Sequence, residues 1–268
     1  MRLNESYSDA WQLRFGEKPV PPNSKIEDFL KHRSIRDFSD KPIPEELIKD
    51  LIAAAFSAAT SSNLQLRSII SIQNPEKKEK IKHLCADQKQ ITQAPWFFAF
   101  LADHHRIKQA AIQAGQNPNG LDYAEFYTMA TIDAALAAER MVCAAESIGL
   151  GACYIGALRN KPEEISKLLK LPQGVFGLFG LCLGWPAEEN KAEIKPRLSL
   201  DSTWFKEEYP EHIDLKEYDG RMVEFYESQG MNSEFNWSQR SGRRVDQEHL
   251  TGREVLKSWL EKQGFNKR

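Results

Sequence analysis

Residues 133–160 read DAALAAERMVCAAESIGLGACYIGALRN, a long alanine-rich segment that passes through two glycines into a short stretch with strand character. Alanine is the strongest helix former, and Met129, Ile132, Leu136 and Val142 recur at helical spacing. The pattern predicts a helix over 126–148 with those four residues turned toward a core. Gly149 and Gly151 stop it. Cys153-Tyr154-Ile155-Gly156 then reads as a strand closing on a glycine turn. Small residues along such a helix allow close helix–helix approach. Core packing is the default reading, and subunit contact the sharper one.

Working outward, Trp96-Phe97-Phe98-Ala99-Phe100-Leu101 is an apolar run of strand length that reads as buried on both faces. Residues 175–183 give a second buried strand, ending in Gly184-Trp185-Pro186. Ile69, Ile70 and Ile72 mark a short strand over 67–73. Pro44, Glu45 and Glu46 start a helix through Leu47, Leu51, Ala54 and Ala55, interrupted by Thr60-Ser61-Ser62-Asn63. Charged residues from Pro75 to Cys85 and the segment 162–171 are also read as helices. Ser24 with Glu27 forms a capping-box pattern before Phe29 and Leu30. Upstream, residues 1–24 are polar and end in Lys18-Pro-Val-Pro-Pro-Asn-Ser24, which reads as a stiff extended lead-in. After Pro196 the chain turns charged and aromatic, so 201–245 is expected to wrap a surface without a core of its own. Helical patterns return at 218–227 and 254–263. The organisation reads as one domain with extended arms.

The chain has 268 residues, 41% hydrophobic and 28% charged, with a formal net charge of −2. Such a balance implies no general affinity for nucleic acid or a membrane surface, so any important basic residues act locally. Cys85, Cys143, Cys153 and Cys182 have no metal-ligand spacing and read as structural thiols of a reducing compartment. Neither a signal-peptide pattern nor an apolar run of membrane-spanning length is present, and the expected location is cytoplasmic.

Five polar clusters sit at predicted element ends, where binding groups usually lie. They are His32-Arg33-Ser34-Ile35-Arg36, Thr60 to Gln65, Asp87-Gln88-Lys89, Tyr154 to Asn160, and Gly184-Trp185-Pro186 with Lys195-Pro196-Arg197. Forked guanidinium donors suit phosphate oxygens or a polarised ring carbonyl. Each cluster also has a plainer reading. Basic runs beside a helix end are usually solvated, Ser-Ser-Asn is often only a turn, and Gly156 could simply supply a positive φ.

Taken in order, the clusters resemble one family. HRSIRDFSDKPI (32–43), AATSSNLQ (58–65), DQKQITQAP (87–95), the stretch 133–160, LLKLPQGVFGLFGLCLGWPAE (168–188) and KPRL (195–198) resemble the FMN-dependent nitroreductases. This group includes NADPH-dependent flavin reductases and oxygen-insensitive nitroreductases. The resemblance implies an α+β fold with a mixed central sheet flanked by helices, in an intertwined homodimer with two FMN molecules at the interface. It implies an N-terminal extension over 1–25, an FMN-binding domain over 26–200 and a C-terminal arm over 201–268. His32, Ser34, Lys195 and Arg197 would hold the FMN phosphate, with Arg33 joining them or facing solvent. Arg36 would lie at the N1/C2 carbonyl edge and Gln88 at the pyrimidine edge. Tyr154, Ile155, Gly156 and Ala157 would line the ring, with the Gly156 N–H toward N5. Ser61, Ser62 and Gln65 would line the ribityl and ring region.

The implied activity is ping-pong hydride transfer through flavin N5, from NADPH or NADH to nitroaromatics, quinones or free flavins, with no essential catalytic side chain. A flavin reductase or specialised reductase with a dedicated acceptor, and a non-enzymatic flavin-binding protein, are the alternatives. Two departures stand out. Ala157 replaces a second glycine common after the Tyr-Ile pair. Glu234 stands before Trp237-Ser238, where NADPH-preferring relatives carry arginines; Arg240, Arg243 and Arg244 follow shortly after.

Overall fold

The computed structural model describes residues 6–17 and 27–268. In chain order its helices are α1 (Tyr7–Phe15), α2 (Glu27–Leu30), α3 (Glu45–Phe56), α4 (Pro75–Leu84), α5 (Gln90–Gln93), α6 (His105–Gln113), α7 (Ala124–Ser147), α8 (Pro162–Leu169), α9 (Lys216–Ser228), α10 (Trp237–Arg244) and α11 (Leu256–Lys262). The strands are β1 (Arg67–Ile72), β2 (Trp96–Asp103), β3 (Gly151–Ile155) and β4 (Val175–Gly184). Two units emerge, one drawn from Met1–Arg33 and Lys191–Leu250, the other from Ser34–Asn190 and Thr251–Arg268. No helix among the described residues is long and apolar enough to cross a membrane.

In the second unit the strands run in the order β1-β2-β4-β3, every neighbouring pair antiparallel. An isolated bridge between Ser34 and Ala152 adds a parallel pairing. Period-two alternation sends Trp96, Phe98 and Phe100 to one face with Leu181 and Leu183, where Leu51 of α3 and Ala137 and Met141 of α7 cover them. Phe97, Ala99 and Leu101 go to the other face with Cys153, Ile155 and Cys182, beneath Ile81 of α4 and Ile165 of α8. Both faces are buried, which is why residues 96–101 contain no polar member. Trp259 and Leu260 of α11 pack with Phe265 on Phe176 and Leu178.

The helix expected over 126–148 is α7, but its inward face differs from the expectation. Ala130, Ala134, Ala137, Ala138, Met141, Val142 and Ala145 are buried, while Ile132 and Leu136 stay 46% and 44% exposed. Small side chains let the helix lie close to the sheet, and Ile132 and Leu136 fall on the side facing away.

In the first unit the extended lead-in expected over 1–24 is corrected, because Tyr7–Phe15 is helical. Ser6 and Asp9 form a capping box at its start, Gly16 closes it at φ 81°, and Tyr7, Ala10 and Arg14 share its buried face. The Ser24 cap lies outside the described residues. The stretch after Pro196 also has a small core, since α9 turns Tyr218, Met222 and Tyr226, with Phe225 beside them, onto Leu198 and Trp237. α10, absent from the sequence reading, starts at a second capping box formed by Asn236 and Gln239.

Candidate functional site

Ile35 docks the start of the second unit onto the sheet. It is 2% exposed and lies over Gly151, where an added Cβ would fall 2.5 Å from its side chain. The Ile35 N–H donates to the Ala152 carbonyl at 2.9 Å. With Ile35 turned inward, Arg36 points out, its Nη1 3.4 Å from the Ser34 carbonyl. Burial pushes the neighbouring Cys153 thiol up, and the Arg36 charge and a hydrogen bond with Gln90 oppose that shift. Gln90 donates in turn to Gln88 Oε1 at 2.8 Å. Ser34, Arg36, Gln88 and the residues ending β3 therefore gather at one edge of the sheet. Gln90 is the member that sequence reading missed.

At that edge the Tyr154 hydroxyl donates to Glu139 Oε2 at 3.1 Å, and its ring meets Phe179 edge-on. Partial burial, then the Glu139 carboxylate, push the phenol above its ordinary range. Ile155 and Ala157 are buried on either side of Gly156, which opens a tight turn through Arg159. Arg159 anchors the turn by donating to the Leu178 carbonyl. Gly156 does not have a positive φ, and a Cβ there would meet only Arg159 Nη2, at 3.7 Å. The chain's own packing thus does not require glycine at 156. Its missing side chain leaves room for a flat group laid against the backbone, and the adjacent donors suit a flavin ring.

Ser61, Ser62 and Gln65 lie at the opposite edge, in the loop before β1. Ser62, Asn63 and Gln65 adopt φ values of 50°, 53° and 54°, each a cost of about 1 kcal/mol or more. Asp133 of α7 holds this loop: its fully buried carboxylate accepts from the Ser61 N–H at 2.8 Å and the Leu66 N–H at 2.9 Å. Arg106 donates to the Gln65 and Arg67 carbonyls from the other side. Asp133 was also missed, although a lone carboxylate amid the alanines of α7 is its signal. Because β2 and β4 separate β1 from β3, the two edge strands are on the order of 14 Å apart across the sheet.

In the first unit Lys195 and Arg197 are exposed and flank the buried Pro196. Arg197 Nη1 folds back on the Lys195 and Pro196 carbonyls at 3.2 and 3.4 Å. His32 is half-buried. Arg33 is only 5% exposed, with Nε donating to the Lys31 carbonyl at 3.2 Å, so it does not face solvent. Two exposed cations two residues apart are donors of the kind a phosphate monoester takes. Arg240 lies 4.2 Å from the Tyr226 ring centre and Arg243 lies 5.6 Å from that of Phe235. Arg244 donates to the His249 carbonyl.

Comparison with known proteins gives the family of the chain. Residues 30–185 match the nitroreductase family and residues 195–268 match the nitroreductase family C-terminal domain. The FMN reductase (NADPH) of Bacillus subtilis is 36% identical over 252 residues, covering 91% of this chain and 99% of that protein. The oxygen-insensitive NADPH nitroreductase of Salmonella typhimurium is 38% identical over 244 residues, covering 90% and 97%. The structure of NfrA1 nitroreductase from B. subtilis superimposes with a TM-score of 0.85 at 36% identity, covering 91% of this chain and 99% of that one. The sheet, its helical cover and these matches place the chain in the nitroreductase family.

Proposed function

We propose that this chain is an FMN-dependent NAD(P)H oxidoreductase that reduces nitroaromatics, quinones or free flavins in two successive half-reactions. The observation that carries the reading is Gly156, a glycine the chain's own packing does not demand, at the same sheet edge as the exposed Arg36. Bound FMN supplies hydride acceptance and delivery at N5. The chain's residues bind it and tune it. His32, Ser34, Lys195 and Arg197, with Arg33 beside them, provide the charged and neutral donors that a phosphate dianion needs. Arg36 places a fixed positive charge at the pyrimidine edge of the ring, which favours taking up electrons. Gln88, steadied by Gln90, can both donate and accept there. Tyr154, Ile155 and Ala157 hold the Gly156 N–H toward the ring.

The working form is a homodimer. Two observations favour it: Ile132 and Leu136 lie exposed on α7, and Ser61, Ser62 and Gln65 precede β1, which lies three strand spacings from the β3 that leads into Gly156. In a dimer a second copy brings that loop to the ring. Residues 26–200 form the FMN-binding region, 1–25 an extension and 201–268 an arm. Four free cysteines suit the reducing cytoplasm. NADPH or NADH is the electron donor, and Glu234 disfavours the 2′-phosphate while Arg240, Arg243 and Arg244 are the cations near it in sequence.

The test is a steady-state comparison of NADPH with NADH against nitroaromatics, quinones and free FMN. Turnover with bound FMN is expected for at least one nicotinamide donor. A protein that takes up FMN yet turns over with neither is a flavin-binding protein, and one that takes up no FMN contradicts the reading altogether.

A further inference from the structure

One side chain ties together two segments of the first unit, residues 30–32 and residues 195–197, the second of which carries the exposed Lys195 and Arg197. Arg14, near the end of α1 and upstream of the family-matched residues, is only 6% exposed. Its Nε donates to the Leu30 carbonyl at 2.9 Å and its Nη1 to the Lys195 carbonyl at 3.3 Å, while Nη2 takes the His32 carbonyl. The Arg14 carbonyl accepts from the Arg197 N–H at 2.7 Å and from Arg221 Nη1 at 3.0 Å. Arg221 also donates to the Arg197 carbonyl at 3.1 Å and is held by Glu217. Gly16 makes this approach possible, since a Cβ there would lie 2.8 Å from Arg221 Nε. Residues 30–32 and 195–197, far apart in sequence, are thus joined backbone to backbone through Arg14.

Only a guanidinium suits this position. It has five N–H donors in a fixed plane and can reach three carbonyls at once, whereas an ammonium group is a compact point charge with three rotating donors. Donors held in place before a ligand arrives bind it more tightly than donors that must be gathered.

We propose that Arg14 is a positioning residue for the flavin phosphate. By fixing the backbones of 30–32 and 195–197, it sets His32, Lys195 and Arg197 for a phosphate monoester. It thereby makes the protein select FMN over riboflavin, which has the same ring and no phosphate. This inference rests on the FMN reading above.

The experiment measures FMN and riboflavin affinities by flavin fluorescence for the full-length wild type, Arg14→Ala, Arg14→Lys and Leu13→Ala. Leu13 is exposed on the same helix and serves as the control. Arg14→Ala is expected to weaken FMN about tenfold while riboflavin changes by less than about twofold. Arg14→Lys, which keeps the charge without the fork, should fall between, and Leu13→Ala should match the wild type. If Arg14→Ala does not fold, Arg14→Lys decides. An unchanged ratio of FMN to riboflavin affinity in the folded Arg14 variants overturns the inference, even if both affinities drop together. A wild type that binds neither flavin overturns the FMN reading, and this inference with it.

Discussion

Asp133→Ala is expected to release the loop before β1 at a large cost in stability. The carboxylate is 0% exposed and accepts hydrogen bonds from the Ser61 and Leu66 N–H groups at 2.8 and 2.9 Å. Hydrogen bonds to a charged group contribute about 1.5–3 kcal/mol each. Removing the carboxylate leaves those donors unmet and takes a negative charge away from Arg67. That guanidinium is 3% exposed, and its Nε and Nη1 have no hydrogen-bond partner among the described residues. Burial already lowers the Arg67 pKa, and Asp133 opposes the shift. With two such bonds lost, the expected loss is about 4 kcal/mol for alanine. Asp133→Asn keeps one acceptor oxygen and should lose about 2 kcal/mol. Urea unfolding followed by circular dichroism measures both values. FMN affinity measured on the folded Asn variant reports whether the loop's left-handed residues still hold their shape. An alanine variant within about 1 kcal/mol of wild type would refute the clamp.

Three further outcomes are expected. Gly156→Ala should leave stability within about 1 kcal/mol, because the new methyl meets only Arg159 at 3.7 Å, yet weaken FMN binding about tenfold; a stability loss with normal FMN binding would mean the glycine serves the fold. Ile132→Glu with Leu136→Glu should give a folded monomer in analytical ultracentrifugation, and an intact dimer would show that this face of α7 is not the interface. His104 is buried against Phe265, at 4.4 Å between ring centres, and desolvation lowers its pKa. The unfolded chain therefore binds this proton first, so stability present above the ordinary histidine pKa of about 6.5 is lost as pH falls through and below it. Melting curves from neutral pH down to about pH 5 should show a shallower loss for His104→Gln than for wild type; parallel losses would exclude His104 as the cause.

Much of the sheet was legible because β2 and β4 are buried on both faces, which leaves apolar runs without polar interruption. Helix α7 was legible from its alanines, but the direction of its faces was not. Size argues that Ile132 and Leu136 belong inside, and only the close approach of the alanine stripe to the sheet places them outside. α1 escaped notice because its buried face includes an arginine. Burial of Arg14 depends on carbonyls from segments distant in sequence and leaves no trace in hydropathy; only the Ser6–Asp9 pair and Gly16 mark the helix ends. The basic run reads from sequence as part of a site, and the structure gives its members different surroundings. Ile35 fills the hollow at Gly151, which no local pattern reveals, and Arg36 is exposed, while Arg33 is turned inward. Asp133 acts on residues 67 and 72 positions away, beyond the reach of helical periodicity.

The most direct measurement follows the visible flavin absorbance of FMN-loaded protein in anaerobic stopped flow. Mixing with NADPH or NADH should bleach it, and later mixing with a nitroaromatic or a quinone should restore it in a separate step. Flavin that stays oxidised in the presence of both nicotinamides would contradict the proposed activity.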